Sequence, residues 1–444
     1  MAKQTLIYNA KIVDRDTNEK GAVLIDGAKI KHILFSEAEI QKYLDDKKIQ
    51  KFDAKNLTLL PAFIDMHAHF RDPGLTQKED IESGCEAAAA GGFGTLVLMP
   101  NTQPVISTLE EAKQNNEKAK KTGLADVIQS VSITSRFDGK TISHLENLNA
   151  KDVPLITEDG KEVADSSVMF DAMKIAAKKK IIVSCHCEDP FFAAAARPFR
   201  QNALKFLSEK NKKAAVKELE KANQLLALAE DSATIRNILI AKQAKNHLHL
   251  CHVSTKTCLD AVREAKKEGL KVTCEITPHH IGLSGEKAPN IFEIVNPPLR
   301  TEEDRLECIE ALLDGTADVI STDHAPHTAE DKKNGSPGFS GLETAFAVCF
   351  STLVKENGMS LKNLSEKMSA RPAELLGLKK LGLIKEGFDA DFVLADTEKV
   401  WTVKGENFFS KGKYSPFEGK NLTGKIEATF HKGKLVFDGK ICLK

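Results

Sequence analysis

Residues 67–74 read HAHFRDPG. In an extended strand successive side chains alternate between faces. His67 and His69 therefore project the same way, and Arg71 keeps that parity if the strand persists. Two neutral imidazoles on one face can take adjacent positions around a single metal ion. A guanidinium beside them is permanently charged and offers paired donors to a carboxylate. Taken alone, an HxH pair is a weak signal. Its weight depends on where the other metal-competent side chains fall.

Four more stand in comparable places. Asp159 follows the apolar run of LITEDG, His186 ends IIVSCHCED, His252 ends HLHLCHVST, and Asp323 ends the apolar part of DVISTDHAPH. Four histidines and two carboxylates exceed what one tetrahedral ion with an open position accepts. Two ions roughly 3.5–4 Å apart, sharing a carboxylate, would use all six. The donors suit zinc, with manganese, iron or cobalt as substitutes. Ions so held lower the pKa of a shared water towards neutrality, so the expected chemistry is hydrolysis by a bridging hydroxide.

The elements that must carry these residues are short apolar strands alternating with helical stretches. Strand candidates end near Met66, Met99, Ile133, Ile156, Cys185, Cys251, Ile276 and Thr322. Helical runs such as CEAAAAGG and AVREAKKEG close on glycine. This alternation predicts an α/β chain forming a (β/α)8 TIM barrel over residues 59–389, whose C-terminal rim gathers the six candidates. A doubly wound open sheet is the alternative. Both termini alternate apolar and polar residues in short runs, TLIYNAKIV near the start and KIEATFHKGKLVFDGK near the end. They predict one small β-sandwich domain from residues 1–58 and 390–444. Residues 190–232 are too long for a strand-to-helix connection and have helical apolar spacing with a charged surface. They read as an inserted helical excursion.

Lys+Arg and Asp+Glu are both 63, so no global field recruits nucleic acid or an acidic membrane. No run is long enough to span a bilayer, and the first residues lack a signal peptide's apolar stretch. Nine cysteines without CxxC pairs suit reduced thiols in a cytoplasmic protein. Cys185 and Cys187, which flank His186, read as small buried thiols rather than ligands.

PAFIDMHAHFRDPG, MPNT, EDGK, CHVST, EITPHH, NPPLR and STDHAPH occur in the order found in dihydroorotases of the amidohydrolase superfamily. The chain resembles the longer bacterial-type class, whose bridging ligand is an aspartate. EGFDADFVLAD and HKGKLVFDGK in the terminal domain look similar too. The resemblance implies that His67, His69 and Asp323 hold one zinc, His186 and His252 a second, and that Asp159 bridges them. It implies reversible cyclisation of N-carbamoyl-L-aspartate to dihydroorotate, with Asp323 as general base and acid. Arg71 and Asn101, with His69 and His327 beside them, would bind the substrate carboxylate. Asn296 and the backbone at Pro337 and Gly338 would address the ring. A homodimer and an association with aspartate transcarbamoylase are further family expectations. TEDG replaces the family's usual pair of aspartates before the glycine, and the bridging position is kept.

Several neighbours read as supporting residues: His279 and His280 behind the site, Glu188 and His249 as structural groups, His324 as a packing or hydrogen-bonding residue. Glu158 is set aside in favour of Asp159. The polar, glycine-rich stretch 327–341 reads as a candidate lid. The rival activities are those of hydantoinases, dihydropyrimidinases and allantoinases, which usually bridge their metals with a carboxylated lysine. A non-catalytic scaffold is the rival class, and such relatives characteristically lose ligands.

Overall fold

The computed structural model describes residues 4–286 and 294–442. Five strands come first: β1 (Gln4–Val13), β2 (Asn18–Asp26), β3 (Lys29–Leu34), β4 (Gln50–Asp53) and β5 (Thr58–Pro61). Eight follow in the central part: β6 (Phe63–Ala68), β7 (Phe93–Leu98), β8 (Asp126–Gln129), β9 (Leu155–Thr157), β10 (Ile182–Cys185), β11 (Leu248–Leu250), β12 (Val272–Ile276) and β13 (Val319–Ile320). The last are β14 (Phe392–Thr402), β15 (Asn421–His431) and β16 (Lys434–Asp438).

Strands β6 to β8 and β9 to β13 pair in parallel, each with its neighbour in sequence. Single parallel bridges, Val131 to Ile156 and Ala68 to His324, join the two groups at both seams. The ring closes as a (β/α)8 barrel, so the open-sheet alternative falls. Ile64, Met66, Val97, Leu155, Ile182 and Val319 belong to one buried cluster. Side chains from five strands around a ring can meet only inside it, and this layer fills the barrel. Outside, apolar residues of the crossover helices, among them Ala88, Leu259, Val262 and Leu312, join the larger core. Two glycines do the helix-stopping expected of them: Gly92 at φ 86° and Gly269 at φ 75° adopt left-handed backbone that other residues disfavour.

Two strand ends differ from expectation. The third strand stops at Gln129, before Ile133, and the eighth at Ile320, before Thr322. Beyond Gln129 the chain stays extended enough for Val131 to bridge β9 and for Ile133 to be buried. Apolar alternation therefore outruns the paired segment.

The terminal strands form one mixed sheet in the order β16-β15-β14-β5-β1-β2-β3, with β4 also on β1. The sheet folds over on itself. Phe52 meets Phe430 edge-on at 5.1 Å, and a Cβ at Gly433 would lie 2.1 Å from the Gly27 carbonyl oxygen. Ile7, Ile12, Val23, Phe392 and Phe430 share the enclosed core. Strand β5 lies between β1 and β14, and the chain passes directly from it into β6. Between β10 and β11 the helices Pro190–Ser208 and Lys212–Ala244 form a hairpin. The second continues into the layer that covers the barrel, through Ala233, Ile238 and Ala241. No helix among the described residues is long and apolar enough to cross a membrane.

Candidate metal centre and active site

Strand β6 ends at Ala68, so strict strand parity reaches neither His69, whose N–H is held by His324 O at 2.8 Å, nor Arg71. The chain turns instead, with Arg71 at φ 56°. Gly74 makes that turn possible: at φ 90°, a Cβ there would lie 1.7 Å from the Gln103 carbonyl oxygen. The turn is thereby docked on the loop that carries Asn101, and Gln103 N donates to Pro73 O at 3.0 Å.

The six candidate ligands converge on the rim, all buried. His67 Nε2 lies 3.2 Å from Asp159 Oδ1 and 3.6 Å from Asp323 Oδ1. His69 Nε2 lies 3.1 Å from Asp323 Oδ1 and 3.4 Å from Asp159 Oδ2. Across the site, His186 Nδ1 and His252 Nε2 are 2.8 Å apart, and they stand 3.6 and 3.7 Å from Asp159 Oδ1. Among the described residues, Asp159 is thus the one within reach of all four imidazoles. His67, Asp159 and His252, and likewise His67, His69 and Asp323, each bring three ligand atoms within the span of one ion.

Hydrogen bonds behind the ligands fix which nitrogen faces inward. The Asn101 amide donates to Asp159 Oδ2 at 3.2 Å, leaving its oxygen to accept from His69 Nδ1 at 2.9 Å. His67 Nδ1 donates to Glu275 Oε1 at 2.7 Å. Both Nε2 lone pairs therefore point at carboxylate oxygens, an arrangement that is repulsive unless a cation stands between. His67 Nε2 and Asp159 Oδ1 are buried with no hydrogen-bond partner. An uncompensated buried charge costs several kcal/mol, on the order of 3–5 when a partner is removed. Titration expresses the same demand. Burial lowers the His67 pKa, but Asp159 and Glu275 outweigh it and raise it well above the usual value. Burial likewise opposes Asp159, and His67 more than reverses it, holding that carboxyl well below the usual range. His186 is lifted to about 9 because Glu188 and Asp159 outweigh its burial. The donor set fits divalent cations in place of these protons.

Three site residues occupy left-handed backbone: Arg71, His252 at φ 33° and Asp323 at φ 46°. Such geometry costs of order 1–3 kcal/mol per residue and persists only where surroundings enforce it. The His252 N–H is held by Glu275 Oε1 at 3.1 Å, and the turn at Asp323 by His69 N donating to His324 O at 2.8 Å. Asp65 ties β6 to the end of β13 by accepting from Thr322 N at 3.0 Å, and burial pushes its carboxyl up to about 7.

The remaining candidates surround this centre. The Arg71 Nε is buried without a partner. The Asn296 amide donates to Glu188 at 2.7 Å and stands 3.3 Å from His186 Nε2. His327 Nε2 donates to Pro337 O at 2.9 Å. Burial, with Arg71 next, lowers its pKa to about 3, so it is neutral. A Cβ at Gly338 would fall 2.7 Å from Ala325, which shows how tightly 337–338 packs on this turn. The stretch 327–341 contains a short helix, Ala329–Lys333; its Lys332, Phe339 and Ser340 are buried, while Glu330, Lys333, Asn334 and Pro337 are exposed.

Three supporting groups bear more on the site than their types suggested. Glu188, expected to be structural, touches both His186 and Asn296. His249 Nε2 donates to Glu275 Oε2 at 3.1 Å, so it supports the carboxylate that supports His67. Glu275 itself escaped sequence reasoning, although a lone charge inside the apolar run VTCEI was a usable signal. His280 donates to Pro297 O at 3.2 Å, while His279 is buried with neither ring nitrogen bonded. His324 Nδ1 accepts from Gly341 N at 3.1 Å. Glu158 faces Thr134, away from the ligands, and burial pushes it up to about 7. Lys161 Nζ donates to Phe137 O at 2.6 Å on the surface.

The amidohydrolase family model matches residues 58–436. A dihydroorotase of Clostridium botulinum is 41% identical over 435 residues, covering 98% of this chain and 99% of that relative. One of Bacillus subtilis is 39% identical over 392 residues, 87% of this chain and 88% of its own length. The solved L-hydantoinase (dihydropyrimidinase) of Arthrobacter aurescens superposes with a TM-score of 0.85 at 24% identity, covering 99% of this chain and 97% of its own. That last likeness speaks for the fold alone. With the metal-competent residues gathered on the rim of a barrel of this kind, the chain belongs to the amidohydrolase family, among its dihydroorotases.

Proposed function

We propose that this protein interconverts N-carbamoyl-L-aspartate and dihydroorotate at the centre described above, with two zinc ions as its metals. The observation that carries the reading is Asp159 within reach of four imidazoles, with Arg71 beside them. Divalent ions bound among those donors supply Lewis acidity, polarising an amide carbonyl and lowering the pKa of water. The rest is the work of the chain. Arg71 and Asn101 hold the substrate carboxylate next to the metal ligands, and neutral His327, whose one N–H goes to Pro337 O, fixes the neighbouring backbone edge. Asn296 and the backbone at Pro337 and Gly338 orient the ring. Asp323 accepts the proton of the attacking water and returns it to the departing ring nitrogen, as acid–base catalysis at one position requires. In the cyclising direction the same carboxylate takes the ureido proton as nitrogen attacks the side-chain carboxyl carbon, and passes it to the departing oxygen, which leaves as water.

Hydantoinase-type activity is disfavoured by two features. The residue within reach of all four imidazoles is an aspartate, and Lys161 is committed to a surface carbonyl. A homodimer, association with aspartate transcarbamoylase and a cytoplasmic location are carried over from the family resemblance and belong to this proposal. The test is turnover of dihydroorotate, hydantoin and dihydrouracil by one sample whose metals are counted by elemental analysis. Dihydroorotate turned over fastest, with about two zinc ions per chain, is the expected result. Faster turnover of hydantoin or dihydrouracil overturns the assignment.

A further inference from the structure

Two segments given substrate contacts above, 294–300 and 335–340, are joined by one side chain. Lys332 is fully buried, and no carboxylate among the described residues pairs with it. Its ammonium donates instead to three main-chain carbonyls: Gly338 O at 2.7 Å, Ser336 O at 2.8 Å and Ile294 O at 3.1 Å. Three donors meet three acceptors, so the charge is satisfied by peptide dipoles alone. Burial without a counter-ion lowers the Lys332 pKa to about 8.

A second cation grips the neighbouring peptide. Arg200, half-buried on the inserted helix Pro190–Ser208, donates from Nη2 to Val295 O at 3.1 Å. Successive carbonyls, Ile294 and Val295, are therefore held by cations from two separate elements. The inserted helix also reaches the other segment: a Cβ at Gly335 would lie 2.5 Å from Leu204. Between the segments, Gly338 N donates to Ile294 O at 3.0 Å. The next residue along is Asn296. An apolar side chain would fill the Lys332 site at lower cost, because removing an ammonium from water is expensive. What a buried ammonium adds is a fixed spacing between three carbonyls on two segments.

We propose that Lys332, assisted by Arg200 from the inserted helix, is a positioning residue that sets Asn296 against Pro337 and Gly338 so that the two edges grip the substrate ring together. The inference rests on the function proposed above. It also gives the insertion a role: its first helix is a buttress for the ring-binding edge.

The experiment uses the metal-loaded full chain. Lys332→Met is expected to raise the KM for dihydroorotate by at least about fivefold while kcat stays within about threefold, because binding geometry is lost and the chemistry is not. Metal content is expected to be unchanged. Arg200→Met raises KM by a smaller factor, about two- to fourfold, and Arg200→Lys, which keeps the cation, restores it. Lys332→Gln retains two donors and falls between wild type and Lys332→Met; it carries the test alone if the methionine variant does not accumulate. In hydrogen exchange, amides of 294–300 and 335–340 open about tenfold faster in Lys332→Met, with the barrel strands unaltered. An unchanged KM overturns the proposal. So does faster exchange throughout the barrel with kcat and KM both damaged, which assigns Lys332 to general stability. Failure of the parent reading shows separately, as wild-type protein that does not turn over dihydroorotate.

Discussion

Glu275 accepts the Nδ1 proton of His67 at 2.7 Å, and the two residues lie 208 positions apart in sequence. The carboxylate orients the ring and makes its inward nitrogen a better donor. Glu275→Gln is expected to weaken metal binding by about 10- to 100-fold, read by competition with a calibrated chelator. Affinity equal to wild type would show that His67 does not need this support.

Asp323→Asn tests the proton carrier. The amide is nearly isosteric, so the fold should survive. The acid–base contribution, about 10²- to 10⁴-fold in kcat, should vanish. Elemental analysis of the same sample separates lost chemistry from lost metal. Near-normal kcat would reassign the base.

Arg71→Ala removes a buried cation whose Nε has no protein partner. A charge-assisted hydrogen bond contributes about 1.5–3 kcal/mol, so kcat/KM should fall roughly 10- to 100-fold, mainly through KM. The orphaned nitrogen is consistent with a ligand atom as its partner. An unchanged KM would place the substrate carboxylate elsewhere.

His247, at the entrance to β11, gives a pH dependence from a group that is not itself a metal ligand. Burial, with His249 next, lowers its pKa from 6.5 to about 4, and its Nε2 lies 3.0 Å from Thr273 Oγ1. Between these pH values the unfolded chain binds a proton that the folded chain refuses. The stability this group contributes is therefore complete above pH 6.5 and is lost as pH falls towards 4. The loss is on the order of 3 kcal/mol. Denaturant midpoints measured at pH 7 and pH 5 should differ less in His247→Gln than in wild type. Equal differences would place the acid sensitivity in other groups.

Much of this site could be read before folding because a barrel converts order along the chain into position around a rim. Asp159, His186, His252 and Asp323 each follow an apolar run, and that rule alone collects them. The condition placed on Arg71, that the strand persists, is not met: β6 ends at Ala68, and a left-handed turn, permitted by Gly74, aims the guanidinium instead. The third strand was misjudged because Val131 and Ile133 stay buried and alternating after pairing ends at Gln129. Glu275 and Glu188 were undervalued for another reason. Their importance lies in which histidine each touches, and His67 and Glu275 become neighbours only when β6 and β12 enter one ring. The carbonyl clamp around Lys332 left no trace in the sequence, since its acceptors are backbone atoms.

The placement of β5 between β1 and β14 has a consequence for biosynthesis. While the ribosome is still making the C-terminal strands, the barrel's sequence is already complete and can begin to fold, yet Thr58–Pro61 has only β1 beside it. Its open flank, bearing the apolar Leu59 and Leu60, is a template for any extended segment nearby. Pairing with Phe392–Ala395 covers that flank, so a segment translated after the barrel closes the edge that β5 would otherwise leave open.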